Sequence, residues 1–338
     1  MYNLKFVSWN VNGIRAGIRK GFWENISTLD PDFVCLQELK CQDEDMESIF
    51  ATNLETKNLI NLNNNLGETL FEDSGLQDSQ NELNSQAQKV EHLQPSDFIP
   101  FWHTCRMKKG YSGTAIFVNK RVLENQKIQI IEEFRYLGDD KFDLEGRLIG
   151  LNLKIGDQLL FLLNGYYPQG GREGRVVYKC EFYSRVYSKV KQMQDQGYQV
   201  ILCGDLNTTI ADIDLARPKE NRKTTGCLPE ERLALQWLID PELFGSAKLI
   251  ITNPELEYLN LLDNQSLELI DSFRKLYPEQ KDAYSYWDQI TRARERNVGW
   301  RIDYWLLDRS LENSLKSATI ANQIMGSDHC PVLMDLEL

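Results

Sequence analysis

Short apolar runs, rich in β-branched and aromatic residues, recur along the whole chain. Such runs are typical of buried or half-buried strands. They predict strands at residues 4–9, 32–36, 114–118, 148–155, 158–163, 199–203, 301–307 and 332–338. The short gap between the runs at 148–155 and 158–163 predicts a hairpin, so we expect mixed or antiparallel sheets rather than purely parallel ones.

Two other segments have the apolar spacing of a helix. In residues 176–193, Val177, Phe182, Val186 and Val190 recur at intervals of about four, and residues 228–239 open with a proline and acidic residues suited to a first turn. Strands interleaved with helices predict an α/β protein. At 338 residues, 42% of them hydrophobic, we expect a single domain spanning residues 1–338.

Residues 53–97 differ from the rest of the chain. They are rich in Asn and Gln and carry eight acidic and two basic residues, which is half of the formal net charge of −12. This composition predicts a polar, acidic insertion in the domain. Leu59, Leu62, Leu66 and Leu70 are spaced as on one face of a helix, so a disordered segment and a short docked helix both remain open.

The basic residues are clustered, so the net negative charge of the whole chain does not describe every part of its surface. A net charge of −12 argues against a nucleic-acid partner when the chain is taken as a whole. However, the segments GIRAGIRK, CRMKKGYSG, GGREGR, ARPKENRKTTG and TRARERNVGWR each place Lys or Arg beside a glycine or an aromatic residue. We therefore expect a basic face on an acidic body, although any one cluster alone could be an ordinary solvated surface.

The composition also limits where the protein acts. No apolar run approaches the ~20 residues that span a bilayer, and the first residues show no secretory signal. The seven cysteines are scattered and contain no CxxC pair. These observations predict a reduced, intracellular protein without a membrane partner or a structural zinc site.

Polar side chains occur at the ends of six predicted strands, where α/β sheets present binding groups. Taken singly, each could be a turn cap, and the pair Asp328-His329 alone favours that interpretation. Together they predict one polar cleft. Its members are Asn10, Glu38, Asn164, Tyr166, Asp205, Asn207, Asp303, Asp328 and His329.

This set has the chemistry for metal-assisted hydrolysis of a phosphodiester. The carboxylates of Glu38, Asp205 and Asp328, with the amide oxygens of Asn10 and Asn207, are the ligands that Mg²⁺ prefers. A carboxylate beside a histidine holds its orientation and favours the cationic imidazole. We expect Asp303 to be that partner for His329.

Eight segments resemble those of one nuclease family, and they occur in the same order. They are SWNVNGIR, CLQELK, KKGYSGTAIF, NGYYPQGG, GDLN, NRKTTGCLPEER, NVGWRIDYWLL and GSDHCPV. Together they resemble the exonuclease III family of AP endonucleases, within the DNase I-like endonuclease/exonuclease/phosphatase superfamily. The resemblance spans nearly the whole chain except residues 53–97 and 240–268. The segments NVGWRIDY and KKGYSGTAIF are more specific to the DNA-repair branch than the elements shared with lipid phosphatases.

The resemblance implies a four-layer α/β sandwich, in which two facing mixed β-sheets are flanked by helices. It also implies roles for the cleft residues. Asp205 would activate the attacking water, Asn207 would orient it, and His329, held by Asp303, would bind the phosphate. Tyr166 and Asn164 would contact the scissile phosphate. The implied metal site, for Mg²⁺ or Mn²⁺ in its place, comprises Asn10, Glu38, Asp205, Asn207, Asp328 and His329.

The implied substrate is double-stranded DNA with abasic sites or blocked 3′ ends, bound by a monomer in the cytoplasm of a bacterium or in a eukaryotic nucleus or organelle. The enzyme would cut 5′ to abasic sites and remove 3′ blocking groups or nucleotides. Trp300 would line a pocket for a flipped-out abasic sugar, with Tyr286 and Trp287 as further candidates, although core packing is also open for Trp287. The implied DNA contacts are Arg15, Lys40, Tyr111, Arg172 and residues 292–301.

Two positions depart from the family pattern, and two other functions remain open. Asn12 and Gln169 stand where some members carry Asp and Asn. An amide at position 12 lacks the charge that would support a metal. The alternatives are hydrolysis of an inositol or sphingolipid phosphodiester, and a DNA-binding or scaffold protein without catalytic activity.

Overall fold

The structure, a computed structural model, describes residues 2–51, 92–124, 128–239, 254–256 and 266–338. The predicted insertion at 53–97 lies outside these ranges up to residue 91, including the four leucines of its possible helix. Its described end contains a 3₁₀ turn at Pro95–Asp97.

Twelve strands occur in the described part of the chain, and the eight predicted ones are among them. In chain order they are β1 (Asn3–Asn10), β2 (Phe33–Gln37), β3 (Phe98–His103), β4 (Thr114–Asn119), β5 (Ile128–Phe134), β6 (Leu148–Ile155), β7 (Gln158–Tyr166), β8 (Gln199–Asp205), β9 (Ile270–Asp271), β10 (Asp303–Leu307), β11 (Leu315–Ile320) and β12 (Val332–Glu337). The predicted strand at 301–307 begins later, at Asp303.

The strands form two mixed, six-stranded sheets. The order of the first sheet is β11-β12-β1-β2-β4-β3, and the order of the second is β5-β6-β7-β8-β10-β9. Strand β1 is parallel to β2, and β7 is parallel to β8. The remaining neighbours are antiparallel, including the predicted hairpin of β6 and β7.

Helices lie outside the sheets. They are α1 (Ile14–Arg19), α2 (Phe22–Leu29), α3 (Asp43–Ile49), α4 (Asp140–Asp143), α5 (Arg175–Asp195), α6 (Pro229–Gln236) and α7 (Ser272–Leu276). The predicted helices at 176–193 and 228–239 correspond to α5 and α6. Further 3₁₀ turns lie at Lys120–Val122, Asp212–Asp214, Ala293–Arg296 and Arg309–Ser314.

Three apolar clusters hold these layers together. Residues of both sheets, such as Phe6 and Leu162, share one buried cluster, so the sheets face each other. Helix α2 packs on the outer face of the first sheet through Phe22, and α5 packs on the outer face of the second through Val186. This is the expected four-layer sandwich of two facing mixed sheets flanked by helices. No helix within the described ranges has the length and apolar content to cross a membrane.

Candidate active site

The ends of strands from both sheets meet at one edge of the sandwich. Asp205 ends β8 and lies opposite Asp303, which begins β10, because these two strands are antiparallel neighbours. Asn10 ends β1 of the other sheet, and its side-chain Nδ2 donates a 2.9 Å hydrogen bond to Oδ2 of Asp205. The backbone oxygen of His329 accepts a 3.2 Å hydrogen bond from Nε1 of Trp9. The fold thus places residues that are far apart in the sequence in one polar cluster.

Asp205 is the most heavily contacted carboxylate of this cluster. Besides Asn10, the backbone N–H of Asn207 donates to its Oδ1 at 2.9 Å, and the side-chain amide of Asn207 donates to its Oδ2 at 3.3 Å. Burial raises the pKa of Asp205 to about 7, His329 opposes this increase, and Asp303 adds to it. Asp205 can therefore take up or release a proton near neutral pH.

His329 lies between two buried carboxylates. Its Nδ1 is 2.8 Å from Oδ2 of Asp303, and its Nε2 is 3.8 Å from Oδ2 of Asp205. Burial lowers the pKa of His329, but Asp303 and then Asp205 outweigh it, so the pKa rises to about 10. A protonated imidazole has no free lone pair for a metal. The arrangement therefore favours a hydrogen-bonding role for His329 over the metal-ligand role expected from the sequence.

Ser285 contributes to the cluster without having been expected from the sequence. Its hydroxyl donates a 2.6 Å hydrogen bond to Oδ2 of Asp303, the same atom that contacts His329. It also accepts hydrogen bonds of 3.2 Å from the backbone N–H groups of Ile302 and Asp303. Ser285 therefore fixes the carboxylate that orients His329. It lies in the segment AYSYW, outside the runs that predict strands, so no strand end in the sequence marks it.

A second chain of contacts joins Glu38 to Asp328. The Nζ atom of Lys40 is 2.8 Å from Oε1 of Glu38 and donates a 2.6 Å hydrogen bond to Oδ1 of Asn12. The Nδ2 atom of Asn12 in turn donates a 2.9 Å hydrogen bond to Oδ1 of Asp328. Asn12 thus bridges a cation and a carboxylate, which an amide can do because it both accepts and donates. The unusual residue at position 12 has a structural role here.

The residues at this edge fit a hard divalent cation. Within the described ranges, ligand atoms of Asp205, Asp303 and His329 lie within 4.8 Å of one another, and because His329 is protonated, the two carboxylates are the members of this group that could bind a metal. Asp303 was not among the ligands expected from the sequence. Glu38 already holds the ammonium of Lys40, which shows that its carboxylate is placed to bind positive charge. Carboxylate oxygens in such a set are ligands that Mg²⁺ prefers.

Comparison with known proteins agrees with this geometry. Residues 7–329 match the model of the endonuclease/exonuclease/phosphatase family. The chain belongs to that family. It is 31% identical to an exodeoxyribonuclease of Bacillus subtilis over 331 residues, which cover 97% of this chain and 98% of the relative. It is 29% identical to the DNA repair nuclease APEX1 of Danio rerio, covering 99% of this chain and 82% of that relative.

A solved structure extends the likeness to three dimensions. The catalytic domain of Xenopus laevis APE2 matches with a TM-score of 0.63 and 25% identity, covering 98% of this chain and 91% of that one. These comparisons confirm the resemblance expected from the sequence. They also confirm that the chain is an enzyme of the exodeoxyribonuclease and AP endonuclease type of the endonuclease/exonuclease/phosphatase family.

Tyr166 ends β7 beside the candidate active site, and Arg147 holds it there. The guanidinium of Arg147 lies 5.0 Å from the centre of the Tyr166 ring, and its Nη1 donates a 3.0 Å hydrogen bond to the backbone oxygen of Tyr166. Its Nη2 donates a 2.7 Å hydrogen bond to the hydroxyl of Tyr111. Burial and, after it, the carboxylate of Glu38 raise the pKa of Tyr166 well above its usual value. The phenol therefore stays protonated and can donate.

Asn164 has a different set of partners from the expected phosphate. Its Nδ2 donates hydrogen bonds of 2.9 Å to the backbone oxygens of Leu36 and Ala115, which belong to the opposite sheet. Its Oδ1 accepts a 2.7 Å hydrogen bond from Gln37. Both hydrogens of the fully buried amide are thus used to join the two sheets. The phosphate contact of Asn164 stays a prediction, which this arrangement does not favour.

Of the three candidate pocket aromatics, two lie beside the cluster and one lies in the core. Half-buried Trp300 exchanges backbone hydrogen bonds of 2.9 Å with Tyr286, and the ring of Tyr286 lies 4.8 Å from the ring of His329. Trp287 is 2% exposed and packs in a small cluster with Tyr284 and Ala293. Core packing, the alternative left open for Trp287, therefore describes its position.

The basic residues expected to contact DNA have separate partners or are exposed. The guanidinium of exposed Arg15 pairs with Asp45 at 3.0 Å, and Lys40 pairs with Glu38. Arg172 is exposed in the turn before α5. Their contacts with DNA stay predictions.

Proposed function

We propose that this protein is a Mg²⁺-dependent DNA-repair nuclease. It hydrolyses the phosphodiester 5′ to abasic sites in duplex DNA, and it removes 3′ blocking groups or nucleotides. The observation that carries the proposal is the convergence of Asp205, Asn207 and the Asp303–His329 pair at one sheet edge. The relatives named exodeoxyribonuclease and DNA repair nuclease support the choice of substrate.

Asp205 and Asn207 act on the attacking water. Asp205, whose pKa is raised to about 7, accepts the proton of the water as the water attacks the phosphorus. Asn207 orients Asp205 through its backbone N–H and its side-chain amide. The phosphorus–O3′ bond breaks on the opposite side, and the departing O3′ takes a proton from solvent water, which leaves a 3′ hydroxyl and a 5′ phosphate.

His329 and Tyr166 stabilise the charge that develops on the phosphate oxygens. The imidazolium of His329 donates from Nε2, while Asp303 and Ser285 fix its orientation through Nδ1. Tyr166, kept protonated by its raised pKa, donates from its hydroxyl. Glu38 and Asp328 would hold the Mg²⁺, while Asn10 orients Asp205. The bound ion, or Mn²⁺ in its place, would supply Lewis-acid stabilisation of the same charge.

The DNA is held mainly through its backbone. Arg15, Lys40, Tyr111 and Arg172 contact phosphates without reading sequence, as expected for an enzyme that must recognise damage in any context. The abasic sugar, turned out of the helix, lies against Trp300 and Tyr286 beside His329.

The protein acts as a monomer inside the cell. All seven cysteines are free and buried, which is the state expected in a reducing compartment. For the proposed monomer, sedimentation at micromolar concentration should give the mass of one chain, about 39.3 kDa.

One gel assay tests the proposal. An end-labelled duplex with a single abasic analogue is compared with an intact duplex, each with Mg²⁺ and with EDTA. We expect a cut 5′ to the abasic position that requires Mg²⁺. DNA binding that resists EDTA without any cleavage would instead support a silent DNA-binding protein. Release of phosphate from inositol lipids, with no action on the abasic duplex, would support the lipid alternative.

A further inference from the structure

A fully buried ion pair lies beneath the candidate active site. The Nζ atom of Lys179 on α5 is 2.8 Å from Oε1 of Glu231 on α6, and both side chains are 0% exposed. Removing two charges from water costs several kcal/mol per ion, so such a pair is weak evidence of a contribution to stability. Its other hydrogen bonds indicate what it does.

Lys179 reaches the backbone of a proposed catalytic residue. Its Nζ donates a second hydrogen bond, of 2.7 Å, to the backbone oxygen of Asn207. Asn207 has a φ of 52°, in the left-handed region that residues other than glycine rarely adopt. From this position its backbone N–H and side-chain amide reach Asp205. Lys179 therefore holds the Asn207–Thr208 peptide, directly after the N–H and side chain that contact Asp205.

Glu231 binds the turn at residues 225–228, which lies next to Asn207. It accepts hydrogen bonds from the Thr225 hydroxyl at 2.6 Å, from the Leu228 N–H at 3.2 Å and from the Gly226 N–H. The Thr225 hydroxyl also accepts a 3.0 Å hydrogen bond from the N–H of Gly170. One carboxylate thus organises the turn at residues 225–228 and ties it to Lys179.

The turn at residues 225–228 also lies between the backbone of Asn207 and the side chain of Trp300. Gly226 has a φ of +91°, and a Cβ placed on it would lie 3.1 Å from the oxygen of Asn207 and 3.2 Å from Cζ3 of Trp300. The backbone of Gly226 therefore fills the space between Asn207 and Trp300. Any shift of the turn would move both.

We propose that Lys179 and Glu231 are positioning residues for the reaction. The ion pair fixes the Asn207 peptide and the wall beside Trp300, and neither of its side chains touches the substrate. This role rests on the proposed function for its activity measurement, but its structural part can be tested without any activity.

The first experiment compares Lys179→Met and Glu231→Gln with Val190→Ala. Val190 is fully buried on the same helix and packs in the apolar core, so its truncation lowers stability without removing a polar contact to Asn207. Abasic-site cleavage is measured at saturating Mg²⁺ and at a temperature where circular dichroism shows all variants folded. We expect kcat to fall roughly 10- to 100-fold in the two ion-pair variants, with a smaller change in KM for the duplex, because misplaced groups lose transition-state contacts. Val190→Ala should keep the wild-type kcat.

The double variant Lys179→Met/Glu231→Gln separates positioning from stability. Lys179→Met alone leaves Glu231 charged, buried and unpaired, so the double variant should have the higher Tm of the two. Its kcat should stay low, because the oxygen of Asn207 still lacks its donor. Recovery of kcat together with Tm would overturn the proposal.

Amide hydrogen exchange gives a readout that is independent of nuclease activity. Peptides that cover residues 205–209 should exchange faster in Lys179→Met than in wild type and Val190→Ala. Unchanged exchange there, or an equal loss of kcat in Val190→Ala, would overturn the positioning role. If the wild-type protein fails to cut abasic DNA while the exchange result holds, the proposed function fails and the positioning of Asn207 stands.

Discussion

The side-chain amide of Asn10, at the end of β1, donates a 2.9 Å hydrogen bond to Asp205, at the end of β8. These strands belong to different sheets, so this single contact crosses the gap between the two layers. It orients the carboxylate that we propose as the base. The site is therefore a product of the way the sheets face each other, and its chemistry can be tested residue by residue.

The Asp303–His329 pair is expected to be essential for turnover. We predict that His329→Gln and Asp303→Asn each lower kcat for abasic-site cleavage by roughly 100- to 1,000-fold, as losing one preorganised donor to a developing charge does. The 2.8 Å contact between the two side chains also predicts strong non-additivity. Single-turnover cleavage assays on both single variants and the double variant measure this. His92→Gln is the control, because His92 is exposed, and full activity in His329→Gln would remove that residue from the mechanism.

Glu38 is expected to contribute directly to metal affinity. We predict that Glu38→Gln raises the Mg²⁺ concentration needed for half-maximal activity by roughly 10-fold or more, because a neutral amide replaces a charged ligand. The thermal stabilisation that Mg²⁺ gives the wild-type protein should shrink in parallel, since a ligand stabilises only as far as it binds the folded state. Exposed Glu132 provides the control, as Glu132→Gln. Equal Mg²⁺ titrations for wild type and Glu38→Gln would contradict a ligand role.

A buried charge network beneath Trp300 is expected to dominate local stability. Asp214 accepts hydrogen bonds from Arg301 at 2.9 Å and from Arg274 at 2.6 Å, and all three side chains are at most 5% exposed. We predict that Asp214→Asn lowers the free energy of unfolding by about 3–5 kcal/mol, because two buried arginines lose their shared partner. Asp212, two residues earlier, is 55% exposed and pairs with Arg232.

Asp212→Asn is therefore a matched control, expected to cost less than about 1 kcal/mol. Urea denaturation monitored by fluorescence measures both variants. A cost for Asp214→Asn as small as that of Asp212→Asn would mean that the network adds little.

His103 is expected to make the protein less stable at acidic pH. It is 2% exposed, its Nδ1 lies 2.9 Å from the backbone oxygen of Leu148, and burial lowers its pKa below the usual histidine value of about 6.5. Above pH 6.5 both the folded and the unfolded states are neutral at this residue. Below it the unfolded chain gains a proton that the folded protein does not, so stability falls by up to about 1.4 kcal/mol per pH unit.

His103→Asn keeps a donor near the position of Nδ1 and cannot titrate. We predict that the variant loses less stability than the wild-type protein between pH 7.5 and pH 5.5, in urea titrations with EDTA present. Parallel losses for the two proteins would show that His103 is not the titrating group.

The sequence predicts the inner strands but misses those at the margins of the sheets. The four strands without a sequence prediction, β3, β5, β9 and β11, are the outermost strands of the two sheets. Edge strands are short or carry polar residues on their open side, as in LKSATI of β11, so their apolar pattern is weak. The inner strands, such as FVCLQ of β2, are buried along their whole length and are easily recognised.

The same limit applies to the site. Residues that follow apolar runs, such as Asp205 and Asn10, can be proposed from the sequence because the run marks the strand end. Ser285, Arg147 and Lys179 cannot, because their role depends on contacts with residues distant in the chain. Asn164 shows the converse: its position after an apolar run placed it in the predicted cleft, and the family resemblance implied a phosphate contact, but its amide bonds to the opposite sheet.

The bridging amide of Asn164 links assembly of the active site to packing of the two sheets. It donates hydrogen bonds to the backbone oxygens of Leu36 and Ala115 across the interior of the sandwich, so it ties one sheet to the other. The proposed catalytic groups come from both layers: Asn10 ends a strand of the first sheet, and Asp205 ends a strand of the second. We therefore expect the site to assemble only once the two sheets have packed against each other.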